Sequence, residues 1–125
     1  MPCKSKEWHT THSENKQTMA TIKEDYCSKE VYRLLIEKGF DGEVHTTFDE
    51  EGYTQPSITL QMAMKWLRKV YKIDISVYPY GDYSSDNYQF DAYENRDLMV
   101  SKDDGYMTYE QACESAIKYC LKHLI

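Results

Sequence analysis

Two neighbouring patterns set the fold in the stretch 59-TLQMAMKWLRKVYKIDISV-77. In its first part, apolar side chains recur every three or four residues, which is helical spacing; they are Leu60, Ala63, Met64, Leu67, Val70 and Tyr71. In its second part, Ile73, Ile75 and Val77 alternate with polar residues, which is strand spacing. The stretch therefore predicts an amphipathic helix, capped by Thr59, followed directly by a half-buried strand.

Two further elements are predicted before this stretch. Ser28 is a suitable N-cap for a helix that ends at Gly39, because glycine commonly follows the last turn of a helix. Residues 43–48 alternate and include β-branched side chains, which predicts a strand. Pro56 then indicates an extended loop that leads to the central helix.

Three elements are predicted after it. Residues 88–93 alternate and follow a short polar loop, so they form an antiparallel hairpin with the preceding strand. Residues 98–100 add a short third strand before a turn at Asp104–Gly105. The last helix begins with Thr108 as its cap and Gln111 three residues later, which is a capping-box pattern. Its apolar stripe includes Tyr109 and the cysteines Cys113 and Cys120, predicted to be reduced core thiols.

The element order is α-β-α-β-β(-β)-α, which predicts an α+β fold with a small antiparallel sheet and helices packed on one of its faces. The chain has 125 residues, enough for one hydrophobic core. Residues 1–25 are polar and lack apolar periodicity, so we expect a flexible N-terminal tail. Residues 26–125 are predicted to form a single α+β domain.

Cysteine and histidine residues raise the question of a metal site or a nucleophile. Cys3, His9, His12 and Cys27 offer four nitrogen and sulfur ligands, but they lack the close ligand pairs of a zinc finger. Cys27 precedes a helix, where a thiol can be activated, yet only His45 is available as a base in the middle of the chain. We therefore predict no metal, no cofactor and no enzymatic activity.

Charge is distributed in blocks along the chain, whose formal net charge is −6. Residues 57–74 carry four bases and one acid, whereas residues 75–110 carry eight acids and two bases. The acidic total disfavours nucleic acid as a partner, because binding to the phosphate backbone depends on positive charge. No apolar run is long enough to span a membrane and no secretory signal is visible, so we expect a cytoplasmic protein.

The acidic block is also rich in tyrosine, and part of it is predicted to form an exposed sheet face. Because Ile75 and Val77 face the core, Tyr78 and Tyr80 should share the opposite face, together with Asp91 and Tyr93 across the hairpin. Tyrosine is enriched at interface hot spots, so this face is predicted to bind a protein partner. The alternative is a cross-strand aromatic ladder that only stiffens the sheet.

Two other functions remain open at this point. A pocket between the central helix and the sheet could bind a small ligand or a nucleotide, or support a reaction, through Arg68 or Lys69. The exposed sheet face could instead join two copies of the chain in a homodimer.

Three segments of the chain resemble a known group of proteins. They are residues 58–70, ITLQMAMKWLRKV, residues 73–77, IDISV, and residues 109–121, YEQACESAIKYCL. They look like segments of small uncharacterised proteins encoded by gut Bacteroidales and by their phages and mobile elements. The resemblance covers about residues 27–125 and implies one intracellular α+β domain of phage or prophage origin. The group has no assigned catalytic or binding residue, so the resemblance implies no activity.

Overall fold

The structure is a computed structural model that describes residues 22–81 and 87–125, without the side chain of Tyr80. These residues form three helices and five strands: α1 (Lys29–Glu37), β1 (His45–Phe48), β2 (Thr54–Ser57), α2 (Leu60–Tyr71), β3 (Ile73–Tyr80), β4 (Asn87–Glu94), β5 (Asp97–Tyr106) and α3 (Tyr109–Tyr119), which continues into a π-helical turn at Cys120–Leu124. The fold is α+β, as predicted. Most of the predicted tail, with Cys3, His9 and His12, lies outside the described residues.

All three helices begin at the caps that the sequence predicts. The Ser28 hydroxyl accepts a hydrogen bond from the Val31 backbone N–H at 3.2 Å, at the start of α1. The hydroxyls of Thr59 and Thr108 do the same for α2 and α3, each at 3.0 Å. Each cap satisfies a backbone donor that a helix cannot pair internally, so the polar residue fixes where the helix starts.

Strands β3, β4 and β5 form an antiparallel sheet in that order, and α2 and α3 pack on one of its faces. Ile73, Phe90 and Ala92 are buried on the covered face of the sheet, where the helices contribute Leu67 and Ile117. Burial of such side chains supplies most of the stabilisation of a domain of this size. The opposite face carries polar and tyrosine side chains and no helix from the described part of the chain.

One predicted loop is a strand. Residues 54–57 pair with β1 as β2, and Pro56 lies opposite Thr46 in a two-stranded sheet. Proline is tolerated here because both strands of such a sheet are edges, so its missing N–H does not interrupt a central ladder. The described part of the chain therefore has two small sheets where the sequence predicts one.

The predicted turn at Asp104–Gly105 is wrong, because both residues lie within strand β5. Tyr88 pairs with Tyr106, and Phe90 pairs with Lys102, so three β5 residues lie opposite one β4 residue. The extra residues form a bulge inside the strand, and the left-handed conformation of Gly105, with φ of 74°, helps to form it. The strand therefore runs past the position where a turn was expected.

Two residues that were predicted to be buried are exposed, whereas the predicted core thiols are buried. Val70 in the last turn of α2 has 54% of its surface exposed, and Tyr109 at the start of α3 has 38%. Residues at helix ends have fewer neighbours than residues in the middle turns, so periodicity overestimates their burial. Cys113 and Cys120 are free thiols in the core, as predicted. In the described part of the chain, no helix has the length and apolar character needed to cross a membrane.

Candidate functional site

The open face of the sheet brings together the tyrosine and acidic residues that the sequence predicts. In the strand register, Tyr78 lies opposite Gln89, and Asp74 lies opposite Tyr93. Asp91 lies between them on β4, in the middle strand of the sheet. The backbone of Tyr80 pairs with β4 at the end of β3, while its side chain is outside the described part of the structure.

A hydrogen-bond network on this face is centred on the Asp91 carboxylate. The hydroxyls of Tyr78 and Tyr93 donate to Asp91 Oδ2 at 3.0 and 3.4 Å. The Ser101 hydroxyl on β5 donates to Asp91 Oδ1 at 2.6 Å, and the amide of Gln89 donates to the Tyr78 hydroxyl. One carboxylate thus links all three strands through side chains. Hydrogen bonds to an ionised acceptor are stronger than neutral ones, which fixes the positions of both tyrosine rings.

The network also perturbs the ionisation of Tyr78. Partial burial raises the pKa of its hydroxyl, and the hydrogen bond to the Asp91 carboxylate and the negative charge of that carboxylate raise it further. Each of these effects disfavours a phenolate beside a carboxylate. Tyr78 therefore keeps its proton at neutral pH and remains a hydrogen-bond donor to Asp91.

The rings on the open face remain partly accessible. Tyr78 has 36% of its surface exposed, and Tyr93 is half-buried. Leu98 on β5 lies opposite Tyr93 and has 55% of its surface exposed. The exposed Asp74 carboxylate adds a negative charge at the same end of the sheet. The face therefore combines two fixed aromatic rings, an exposed aliphatic side chain and two carboxylates.

The two basic residues of the alternative site, Arg68 and Lys69, do not line the same cleft. Arg68 lines an open cleft of about 320 Å³ at the end of α2, which Lys72, Asp74, Asn95 and Arg96 also line. Lys69 is exposed on α2 but does not line this cleft. A ligand site that uses Arg68 would therefore draw on Lys72 and Arg96 rather than on Lys69.

Cys27 is in a poor environment for a nucleophile. Burial raises the pKa of its thiol to about 12, and the negative charge of Glu114 raises it as well. At neutral pH the thiol is therefore protonated, and a protonated thiol is a weak nucleophile. His45, considered as its base, packs instead against the Tyr26 ring with a centroid distance of 5.8 Å. Within residues 22–81 and 87–125, no cluster of three or more histidine, cysteine or acidic residues could hold a metal.

Two surface features were missed from the sequence. Phe48 and Tyr53, at the tip of the β1–β2 hairpin, have 69% and 72% of their surfaces exposed. Alternation predicts which residues share a face but not which face the rest of the protein covers. Arg96 was also missed as a cleft residue, although Asn95 between two alternating runs is a recognised signal for a tight turn.

Comparisons with protein-family models, with curated proteins and with solved structures find no match for this chain.

Proposed function

We propose that the protein is a non-enzymatic accessory protein that binds a protein partner through the open face of its three-stranded sheet. The proposed binding surface is centred on Tyr78, Asp91 and Tyr93, and it includes Tyr80 because the alternation of the sequence predicts that residue on the same face. The observation that carries the proposal is the network in which both tyrosine hydroxyls donate to one carboxylate.

Pre-organisation is the physical reason for this choice. An interface side chain that is mobile before binding loses conformational entropy when the complex forms, and that loss weakens affinity. Here Asp91 already holds the hydroxyls of Tyr78 and Tyr93, so less entropy is lost on binding. The exposed ring of Tyr78 and the aliphatic side chain of Leu98 supply apolar area to a partner.

Charge indicates the chemistry of the partner. Asp74 and Asp91 lie on this face, and none of the described basic residues forms a salt bridge with either of them. An arginine side chain can stack on a tyrosine ring and donate hydrogen bonds to a neighbouring carboxylate. We therefore propose a partner surface with arginine or lysine side chains. Like charges oppose stacking two copies of this face, which makes the homodimer the weaker alternative.

The accessory role and the cytoplasmic location rest on the sequence. The resemblance to small proteins of gut Bacteroidales and their phages supports a phage- or prophage-encoded protein that acts on a host or phage protein. Proteins encoded beside the gene would be the first candidates for the partner. Sequencing of the gene neighbourhood tests this origin: phage structural or replication genes support it, and a conserved metabolic operon contradicts it.

Affinity capture from a host lysate tests the proposed surface. The variant Tyr78→Ser/Tyr80→Ser/Tyr93→Ser replaces the three tyrosines of the predicted binding surface, and Tyr53→Ser is the matched control. Tyr53 is 72% exposed at the tip of the β1–β2 hairpin, so its replacement removes an exposed aromatic ring and leaves the open face unchanged. Circular dichroism first establishes that each variant is folded. Quantitative mass spectrometry then compares what each bait retains.

The expected result is a partner that the wild type and Tyr53→Ser capture equally and that the triple variant loses at least ten-fold. Truncation of a single hot-spot residue costs about 2 kcal/mol or more, and tyrosine is enriched among hot spots, so the loss of one such ring is enough for this change. An unchanged set of captured proteins for the triple variant would show that the open face is not the binding surface.

A further inference from the structure

A basic cleft lies at the end of α2, beside the open face. It has a volume of about 320 Å³ and is lined by Arg68, Lys72, Asp74, Asn95 and Arg96. Arg68 and Lys72 come from the last turn and the C-cap of α2, whereas Arg96 comes from the β4–β5 turn. The two elements are joined by a hydrogen bond of 3.0 Å from the Asn95 N–H to the Lys72 carbonyl oxygen.

Backbone conformation singles out this cleft. Among the described residues, the non-glycine residues with positive φ are Lys72, Asn95 and Arg96, at 60°, 50° and 74°, and all three line the cleft. Glycine adopts this conformation with less strain than residues that carry a Cβ atom. Other left-handed positions of the chain, such as Gly39 and Gly52, do carry glycine. Both residues of a two-residue hairpin turn need positive φ, and glycine is the usual second residue, so the turn accounts for Asn95 but not for Arg96.

Charge makes the cleft unusual in an acidic protein. Its lining carries three cations and one carboxylate, a net charge of +2, whereas the whole chain has a net charge of −6. None of the three cations comes within 4.0 Å of a carboxylate in the described part of the chain, Asp74 included. The lysines Lys118 and Lys122, by contrast, both pair with Glu30. Positive charges near the C-terminus of a helix stabilise its dipole, which explains why Arg68 and Lys72 lie at the end of α2. This explanation does not apply to Arg96, which belongs to the β4–β5 turn.

We infer that this cleft binds the phosphate group of a small ligand. A phosphate monoester carries close to two negative charges at neutral pH, which matches the net charge of the lining. Two guanidinium groups can each donate paired hydrogen bonds to phosphate oxygens, and Lys72 adds a point charge. This function is independent of the proposed protein partner, because its residues, apart from Asp74, lie outside the tyrosine surface.

Thermal denaturation with phosphate compounds tests the inference. The probes are inorganic phosphate, ribose 5-phosphate and adenosine monophosphate, with adenosine and sodium chloride of equal ionic strength as controls. A ligand that binds only the folded state raises the melting temperature, and above its dissociation constant the shift grows with the logarithm of the ligand concentration. Inorganic phosphate alone identifies a free-anion site, and a stronger effect of either ester identifies a site for a phosphorylated small molecule.

Two variants and one control make the result specific. Arg96→Gly removes a cation and places glycine at a φ of 74°, so we expect folding without loss of stability and a phosphate-induced shift reduced at least five-fold. Arg68→Gln should reduce the shift as well without altering the backbone. Lys69→Ala removes a neighbouring charge outside the cleft and should leave the shift unchanged.

Three outcomes would overturn the inference. One is the absence of any concentration-dependent rise in melting temperature with all three phosphate compounds. Another is a shift that sodium chloride reproduces at the same ionic strength, because this would indicate general screening of charge. The last is an equal shift in wild type, Arg96→Gly and Arg68→Gln, because phosphate would then bind elsewhere.

Discussion

Replacement of Asp91 by alanine is expected to loosen the open face while leaving the core intact. The substitution removes the acceptor of three hydroxyl donors, at 3.0, 3.4 and 2.6 Å. Each hydroxyl is close enough to solvent to hydrogen-bond water afterwards, so each bond contributes at the low end of the usual range, about 0.5 kcal/mol. The free energy of unfolding should therefore fall by about 1.5 kcal/mol, which lowers the melting temperature by roughly 6 °C in a domain of this size.

Urea denaturation followed by circular dichroism measures this change, and Asp103→Ala is the matched control. Asp103 is an exposed acid on β5 that makes no side-chain hydrogen bond to another described residue. Its loss should change the free energy of unfolding by less than about 0.5 kcal/mol. In Asp91→Ala, the Tyr78 pKa should also fall back toward its ordinary value, which ultraviolet titration of the tyrosines detects. Equal stability of the two variants, with an unchanged tyrosine titration, would refute the network.

Three other predictions concern the scaffold. The pKa of Glu30 is lowered, mainly by its hydrogen bond with Lys118 of α3, so its stabilising contribution is present at neutral pH and is lost as pH falls through that lowered pKa. Glu30→Gln should therefore be less stable than the wild type at pH 7 in urea denaturation, and the difference should shrink as pH is lowered. A difference that does not change with pH would contradict the pairing. Burial raises the pKa of the thiols of Cys27, Cys113 and Cys120 to about 12, 11 and 12. N-ethylmaleimide at pH 8 should therefore label these thiols only after unfolding, which peptide mapping would show. Rapid labelling of them in the folded protein would contradict their burial. Gly39→Ala should lower the free energy of unfolding by about 1 kcal/mol, because the φ of this residue is +92°, and an unchanged denaturation midpoint would contradict that conformation.

Local patterns in the sequence predict much of the scaffold. Ser28, Thr59 and Thr108 are the N-caps that the sequence indicates, because a cap depends only on neighbouring backbone groups. The hairpin of β3 and β4 follows from two alternating runs. Its register then places Asp91 and Tyr93 on the same face as Tyr78, since side chains two residues apart share a face.

Long-range contacts account for what the sequence does not predict. The sequence around Pro56 predicts a loop because proline is rare in strands. This segment is a strand only because it pairs with β1. The convergence of Arg68 and Arg96 depends on the hydrogen bond between the end of α2 and the β4–β5 turn. Which side of β1 the rest of the protein covers likewise depends on where the two-stranded sheet packs. The alternation of residues in β1 therefore does not predict that Phe48 is exposed.

Hydrogen exchange and tyrosine footprinting of the isolated complex test the central claim most directly. With a purified partner bound, Tyr78 and Tyr93 should become protected from oxidative labelling, and the amides of β3 and β4 should exchange more slowly. Tyr53 and the β1–β2 hairpin should remain as reactive as in the free protein. Protection of Tyr53 with no change at Tyr78 and Tyr93 would contradict the proposal and place the partner on the other sheet.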